Sequence, residues 1–191
     1  RILSSAASDV YKRQVDRCTS CHLGIDNPDY VDAPQPYTTH PNLDLYLTSS
    51  SPHPINNFGC TSCHSGRSRG TSFVSSSHTP NTPEDKERWM EEHDWKVNHH
   101  WLTPMLPTRY TEASCFNCHS NTSDLVGGEK INLGLSLIDK AGCNGCHHNE
   151  NWPSLEKAGP NLKHINEKLT EDWVAKSVSY THLTLPTIGC V

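Results

Sequence analysis

The apolar and polar residues of this chain follow a helical period in a few segments and no regular period elsewhere. Ile131, Leu135 and Ile138 recur at the spacing that places side chains on one face of an α-helix, which predicts a helix over 128–140. No stretch of useful length alternates apolar and polar residues as a strand does. We therefore expect a mainly α chain with extensive irregular loops and little or no β-sheet.

A further helix is predicted by residues that favour a helix start. Thr82 can accept a hydrogen bond as the N-cap, Pro83 suits the first helical position, and two acidic residues follow. This helix is expected to end near Trp101. His93 and His100 are seven residues apart, so they would share one of its faces.

Two shorter helices are expected towards the end of the chain. One is predicted over 162–169, and another begins after Thr170, whose hydroxyl can cap the first turn while Trp173 faces inward. The preceding part of the chain is instead rich in Pro, Ser and Asn, which are typical of loops. This shift predicts a loop-rich region at 15–122 and a helical region at 123–176.

The two ends of the chain are not expected to be native protein. Residues 4–14 read SSAASDVYKRQ, and residues 178–187 read VSYTHLTLPT. These are translations of one transposase sequencing adapter in its two orientations. Residues 1–14 and 177–191 are therefore excluded from inferences about the fold. An export signal, an anchor or a further domain of the intact protein could lie beyond either end of the fragment.

Composition and charge narrow the picture. Only 34% of the residues are apolar, against about 45–50% in a typical globular domain. The abundance of Trp, Cys and His is nevertheless unlike that of a disordered chain. We therefore expect something other than side chains to fill the interior. The net charge of −5 argues against nucleic acid as a partner.

The cysteine spacing carries the strongest chemical signal. Eight of the nine cysteines fall in four CxxC pairs, and His follows each pair at once. This pattern is the signal for c-type haem attachment, in which two thiols about one turn apart bond to one haem. The following His becomes the proximal ligand of the iron. The motifs are Cys18-Cys21-His22, Cys60-Cys63-His64, Cys115-Cys118-His119 and Cys143-Cys146-His147.

Zinc binding and disulfide formation are the alternatives to haem attachment for these cysteines. Four-thiolate zinc sites use the same CxxC spacing, and a disulfide framework would use the same even number of cysteines. Neither needs a His after every pair. The motifs therefore predict four covalently bound c-type haems, which are apolar and can take the place of a side-chain core.

The sixth position of each iron decides what the haems can do. A second His closes the iron to substrate and favours electron transfer, whereas an open position permits small-molecule chemistry. Three candidate ligands lie in Pro-punctuated loops with a stiff backbone, and two lie on the predicted helix. A methionine is also a candidate, although packing is its common role. The candidates are His40, His53, His78, His93, His100 and Met105.

The residues GLSLIDKAGCNGCH at 134–147 and GPNL at 159–162 resemble the N-terminal half of a class I cytochrome c domain. The resemblance implies that the carbonyl of Pro160 accepts a hydrogen bond from His147 and so fixes its tautomer. In that family a methionine further along supplies the distal ligand. None follows before the adapter residues, so the fourth haem is expected to lack its natural sixth ligand in this fragment; the alternative ligand is His164 or a histidine of the first region.

The first region resembles the low-structure multihaem c-type cytochromes, whose haems have two His ligands. The resemblance implies electron transfer through four haems to redox partner proteins. Because haem of this type is attached outside the cytoplasm, we expect the protein in the periplasm, or on a membrane facing it, in a respiratory or other electron-transfer chain. The alternative is a multihaem oxidoreductase, such as a small-molecule reductase or peroxidase-like protein, with one open haem. No motif demands that chemistry, so an electron carrier is favoured over an enzyme.

Overall fold

The structure is a computed structural model that describes residues 16–97, 99, 103–120, 122, 124–148 and 159–182. The chain divides into two compact units, residues 1–132 and 133–191. The regions predicted from the sequence, 15–122 and 123–176, stay predictions about domains.

The regular structure is mainly helical with long loops, as the sequence predicts. Two strands of two residues, Tyr46–Leu47 and His53–Pro54, pair in parallel with Tyr46 opposite His53. Among the described residues, 3₁₀ helices cover Cys18–Ser20, Pro28–Tyr30 and Thr108–Asn117, and a π-helical turn covers Val178–His182. The α-helices are α1 (Ile55–Phe58), α2 (Thr61–His64), α3 (Pro83–His93), α4 (Glu129–Lys140), α5 (Cys143–Cys146), α6 (Ile165–Lys168) and α7 (Glu171–Ser177).

Helix α3 begins where the sequence predicts. The Thr82 hydroxyl accepts a hydrogen bond from the backbone N–H of Asp85 at 3.1 Å, and Pro83 is the first helical residue. The expected end near Trp101 is wrong, because Asp94 adopts a left-handed conformation (φ 50°) and closes the helix after His93.

Packing of Trp95 explains the early end of α3. The backbone N–H of Trp95 bonds back to the carbonyl of Trp89 at 3.1 Å, and its indole N–H donates to the carbonyl of His78 at 2.8 Å. Burying this large ring outweighs the few further turns that helix propensity alone would add. His93 is therefore the last residue of α3, and the helical face predicted for His93 and His100 involves a residue that lies outside the described part of the chain.

The described residues contain little side-chain core. Trp95, with 9% of its surface exposed, is the one buried hydrophobic side chain among them. Leu23 and Val31 are about two-thirds exposed, at 66% and 67%. This distribution matches the low apolar content of the sequence.

Helix α4 has the amphipathic pattern that the sequence predicts. Ile131, Leu135 and Ile138 are half-buried, whereas Leu133 and Leu137 are exposed. The helix covers Glu129–Lys140 and so confirms the predicted range almost to the residue. It leads directly towards the fourth cysteine pair.

The helices after α5 are shorter or differently oriented than expected. The side chain of Asn161 accepts the N–H of Lys163 at 2.8 Å, and this turn delays the start of α6 to Ile165. The Thr170 hydroxyl caps α7 by accepting the N–H of Trp173 at 3.3 Å.

The inward orientation expected for Trp173 is wrong. Its side chain is 53% exposed, because Val174 and Ser177 occupy the half-buried face of α7. None of the helices in the described parts of the chain has the length and apolar run needed to cross a bilayer.

Candidate haem-binding sites

The four cysteine motifs share one local fold. In each motif, the backbone N–H of the His donates to the carbonyl of the first Cys, which closes one helical turn. The two thiols therefore lie about one turn apart, and the His follows on the next position, as haem attachment requires. The donor–acceptor distances are 2.9 Å for His22–Cys18, 3.0 Å for His64–Cys60, 2.8 Å for His119–Cys115 and 2.9 Å for His147–Cys143.

Three of the motif histidines face a second imidazole, which comes from a loop at His40 and His78 and from the two-residue strand at His53. Imidazole nitrogen binds a metal at about 2 Å, so two imidazoles on opposite sides of one metal ion have ring centres about 6 Å apart. The three observed pairs fit that spacing, and the partners of the motif histidines are the three Pro-flanked candidates. The ring-centre distances are 6.3 Å for His22–His78, 6.2 Å for His64–His40 and 6.0 Å for His119–His53.

Backbone carbonyls orient the imidazoles of His40, His53 and His78. In each ring Nδ1 donates to a main-chain oxygen, which leaves Nε2 as the ligand atom and fixes the tautomer. Sequence patterns carry no signal for these acceptors, since any residue supplies a carbonyl. The bonds join His40 to the Pro41 carbonyl, His53 to the Leu45 carbonyl at 3.1 Å and His78 to the Phe73 carbonyl at 2.8 Å.

Burial prepares these histidines to bind metal. Desolvation lowers the pKa of His22, His40, His64 and His78 below the usual value. The positive charges that His40 and His22 would carry lower the pKa of His64 further. The four rings are therefore neutral at pH 7, which is the form that coordinates iron.

An aromatic cluster supports the loop that carries His78. The Phe73 ring stacks on His78 with 4.2 Å between centres and an interplanar angle of 1°. Trp89 packs edge-on against Phe73 at 4.9 Å, while Trp95 holds the His78 carbonyl. Sequence reasoning missed Phe73 and Trp95 as supporting residues, because their contacts join separate segments.

The helix candidates are placed differently. His93 packs on Phe73 with 4.3 Å between ring centres, but its side chain is 41% exposed and lies 3.9 Å from the carboxylate of Glu92. Its role as a distal ligand stays a prediction. His100 lies outside the described residues.

Met105 packs against the main chain behind the second motif. It forms a β-bridge with Ser65, and a Cβ atom at Gly66 would lie only 2.2 Å from Met105 Cγ. Gly66 also has a φ of +83°, which favours glycine. These contacts favour a packing role for Met105, and ligation of iron by its sulfur stays a prediction.

The second and third motifs are fastened to each other and to the loop between them. The backbone N–H of Leu106 donates to the carbonyl of His64 at 2.9 Å. The hydroxyl of Ser114 donates to the carbonyl of Cys63 at 2.5 Å. Because Ser114 directly precedes Cys115, the positions of the two motifs depend on each other.

The fourth motif is built locally, in the unit formed by residues 133–191. Gly142, with a φ of +67°, turns the chain from α4 into α5. Nδ1 of His147 donates to the carbonyl of Pro160 at 2.8 Å, the contact that the class I resemblance implies. Gly159 makes this approach possible, because a Cβ there would lie 2.8 Å from the carbonyl oxygen of Cys146.

These residues fit covalently bound haem. Each motif offers two half-buried or exposed thiols on one helical turn, and three of them face a second imidazole at the spacing of one shared iron. Helical CxxCH turns of this kind are typical of c-type cytochromes, in which the two cysteines would hold a haem that carries electrons.

A comparison with protein families agrees with this class. Residues 59–148 match the model of the family described as cytochrome c554 and c-prime, a segment that holds the second, third and fourth motifs. No curated protein and no solved structure matches the chain. The family match supports a c-type cytochrome that binds haem covalently and passes electrons to redox partner proteins.

Proposed function

We propose that the chain carries electrons through four c-type haems, three of which have two His ligands. The observation that carries this proposal is the set of three imidazole pairs with ring centres 6.0–6.3 Å apart. When bound, each haem iron takes up and releases one electron.

The three pairs favour electron transfer over substrate chemistry. A second His ligand leaves no open position at the iron. His22 and His78 would hold the first haem, His64 and His40 the second, and His119 and His53 the third. Because main-chain carbonyls hold the imidazoles of His40, His53 and His78, the ligands are set before an electron arrives and need little rearrangement.

The fourth haem would be attached at Cys143 and Cys146 with His147 as its proximal ligand. The hydrogen bond from Nδ1 to the Pro160 carbonyl fixes the tautomer of this imidazole and leaves Nε2 for the iron. His164 is one candidate for the opposite side of the iron. Its Nδ1 lies 3.1 Å from a carboxylate oxygen of Glu167, which leaves Nε2 for a metal.

The location and partners follow from the attachment chemistry. Haem is joined to CxxCH motifs outside the cytoplasm, where the thiols are presented in reduced form. We therefore place the protein in the periplasm, or on a membrane facing it, within a respiratory or similar electron-transfer chain. Its partners would be redox proteins, which include a membrane complex as one candidate.

Haem counting tests the proposal. The chain would be exported in a bacterial host that carries the c-type attachment machinery and analysed by intact-mass spectrometry. We expect a mass increase of four haems and an electron paramagnetic resonance spectrum with low-spin, bis-His signals. The Cys115→Ala/Cys118→Ala double variant should lose one haem and serves as the control.

A colourless protein with zinc at its cysteines would contradict the proposal, and so would a haem number below four. A native protein in which all four ferrous haems bind carbon monoxide would contradict the bis-His assignment. That result would favour an oxidoreductase instead.

A further inference from the structure

Asp16 joins two haem-attachment motifs that are far apart in the sequence. Its Oδ1 atom accepts the backbone N–H of Cys18 at 3.2 Å. Its Oδ2 atom accepts the N–H of Cys60 at 2.8 Å and the N–H of Thr61 at 3.2 Å. One carboxylate thus receives hydrogen bonds from the starts of both the first and the second motif.

The same contacts bring two attachment sulfurs together. The Sγ atoms of Cys18 and Cys60 and a carboxylate oxygen of Asp16 all lie within 4.8 Å of one another. Three such atoms resemble part of a metal site. Both sulfurs, however, belong to CxxCH pairs and become thioethers when haem is attached. The cluster therefore marks the place where two haem-attachment sites lie next to each other.

Asp16 carries a negative charge at this point. Burial alone would raise the pKa of its carboxyl group, but hydrogen bonds from the Cys18 thiol and from the backbone N–H groups of Cys60, Cys18 and Thr61 outweigh this effect and hold the pKa below the ordinary value of 3.8. The thiol donor is lost when Cys18 becomes a thioether. The backbone N–H donors remain after haem is attached. Gly59 leaves room for the carboxylate, since a Cβ there would lie 3.3 Å from Asp16 Oδ2.

A fixed anion beside an attached haem affects its oxidation state. Reduction adds one electron to the iron, and a nearby negative charge opposes that electron. The effect is larger in a half-buried site than in water, because the local dielectric constant is lower. A carboxylate between two attachment points acts on both haems.

We propose that Asp16 is a positioning residue for electron transfer, which holds the first cysteines of motifs one and two side by side and lowers the reduction potentials of the two haems attached there. The proposal rests on the proposed function. No bond forms or breaks in this role, and the carboxylate neither gains nor loses a proton.

The test compares Asp16→Asn, Asp16→Glu and Asp32→Asn in the haem-loaded protein by spectroelectrochemical titration. Asp32 is exposed and lies in the same unit, so Asp32→Asn removes an equal charge from a position that solvent and salt screen. We expect Asp16→Asn to favour the reduced form of two haems by about tenfold each, or about 59 mV for a one-electron couple. Asp16→Glu, which keeps the charge, should leave both potentials near their native values.

Haem content separates the possible failures. A native protein with fewer than four haems contradicts the proposed function, whatever Asp16 does. Four haems whose potentials change no more in Asp16→Asn than in Asp32→Asn contradict the role of Asp16 alone. Loss of haem from motifs one and two only, in Asp16→Asn, supports the positioning role. If Asp16→Asn loses all haem, the potentials of Asp16→Glu become the test. Reduction potentials equal to the native values would support the role of Asp16, and potentials raised at two haems would contradict it.

Discussion

In the unit formed by residues 1–132, each motif histidine faces an imidazole from elsewhere in the sequence. In the unit formed by residues 133–191, the motif follows directly on the amphipathic helix α4, and Pro160 orients its histidine. The first arrangement depends on contacts between distant segments, whereas the second depends on a short stretch of chain. The difference predicts that mutations disturb the two units by different routes.

The largest effect is expected from His78→Ala. Removing this imidazole opens the sixth position of the first haem, so one further haem per chain should bind carbon monoxide. The measurement is the carbon monoxide difference spectrum of the reduced protein. Trp89→Phe is the matched control, because Trp89 packs on the same Phe73 ring at 4.9 Å and its indole is not an iron ligand. Equal carbon monoxide binding by the two variants would contradict the pairing of His22 with His78.

A smaller effect is expected from Gly159→Ala in the other unit. The added Cβ would lie 2.8 Å from both His147 Nδ1 and the Cys146 carbonyl. We expect a loss of about 1–3 kcal/mol in the free energy of unfolding, as for other overpacked sites. Denaturant unfolding measures this loss.

The control for that variant is Gly134→Ala in α4. No atom lies within 4 Å of the position of its Cβ. It should be neutral or stabilise by up to about 1 kcal/mol, since alanine favours a helix over glycine. An equal loss in both variants would show that the His147 contact has no special weight.

A change of about 1 kcal/mol is expected from Trp95→Phe. The variant keeps an aromatic ring but removes the indole N–H that donates to the His78 carbonyl at 2.8 Å. Thermal unfolding followed at the haem absorption band measures the loss. A variant as stable as the native chain would show that this hydrogen bond does not support the loop that carries His78.

The smallest difference between the units is expected at their helix caps. Thr82→Ala and Thr170→Ala each remove a capping hydroxyl and should cost about 1 kcal/mol. The Thr→Ser variants keep an acceptor and should restore most of the stability. Circular dichroism during urea unfolding measures both pairs. A cost at Thr170 well above that at Thr82 would indicate that the seven-residue α7 depends on its cap more than α3 does.

Structural features that depend on residues close together in the sequence are predicted correctly. The cap at Thr82 and the apolar face of α4 each depend on neighbouring residues, and both lie where the sequence predicts. The predicted end of α3 is wrong because Trp95 packs against a segment 17 residues away, where its indole N–H donates to the His78 carbonyl.

The site could be predicted only in part. His40, His53 and His78 were identified as candidate ligands, but the motif histidine that each one faces could not be predicted. Each pairing is a contact between segments that are far apart in the sequence. The spacing of apolar residues along the chain does not predict such contacts. Asp16 was missed for the same reason, since its bond partners Cys18 and Cys60 belong to separate motifs.

Nδ1 of His40, His53 and His78 donates in each case to a main-chain oxygen. A side chain at Leu45 or Phe73 can change without removing the acceptor, because every amino acid carries the same carbonyl group. Evolution can therefore alter the residues around these histidines widely while the orientation of each ring is retained.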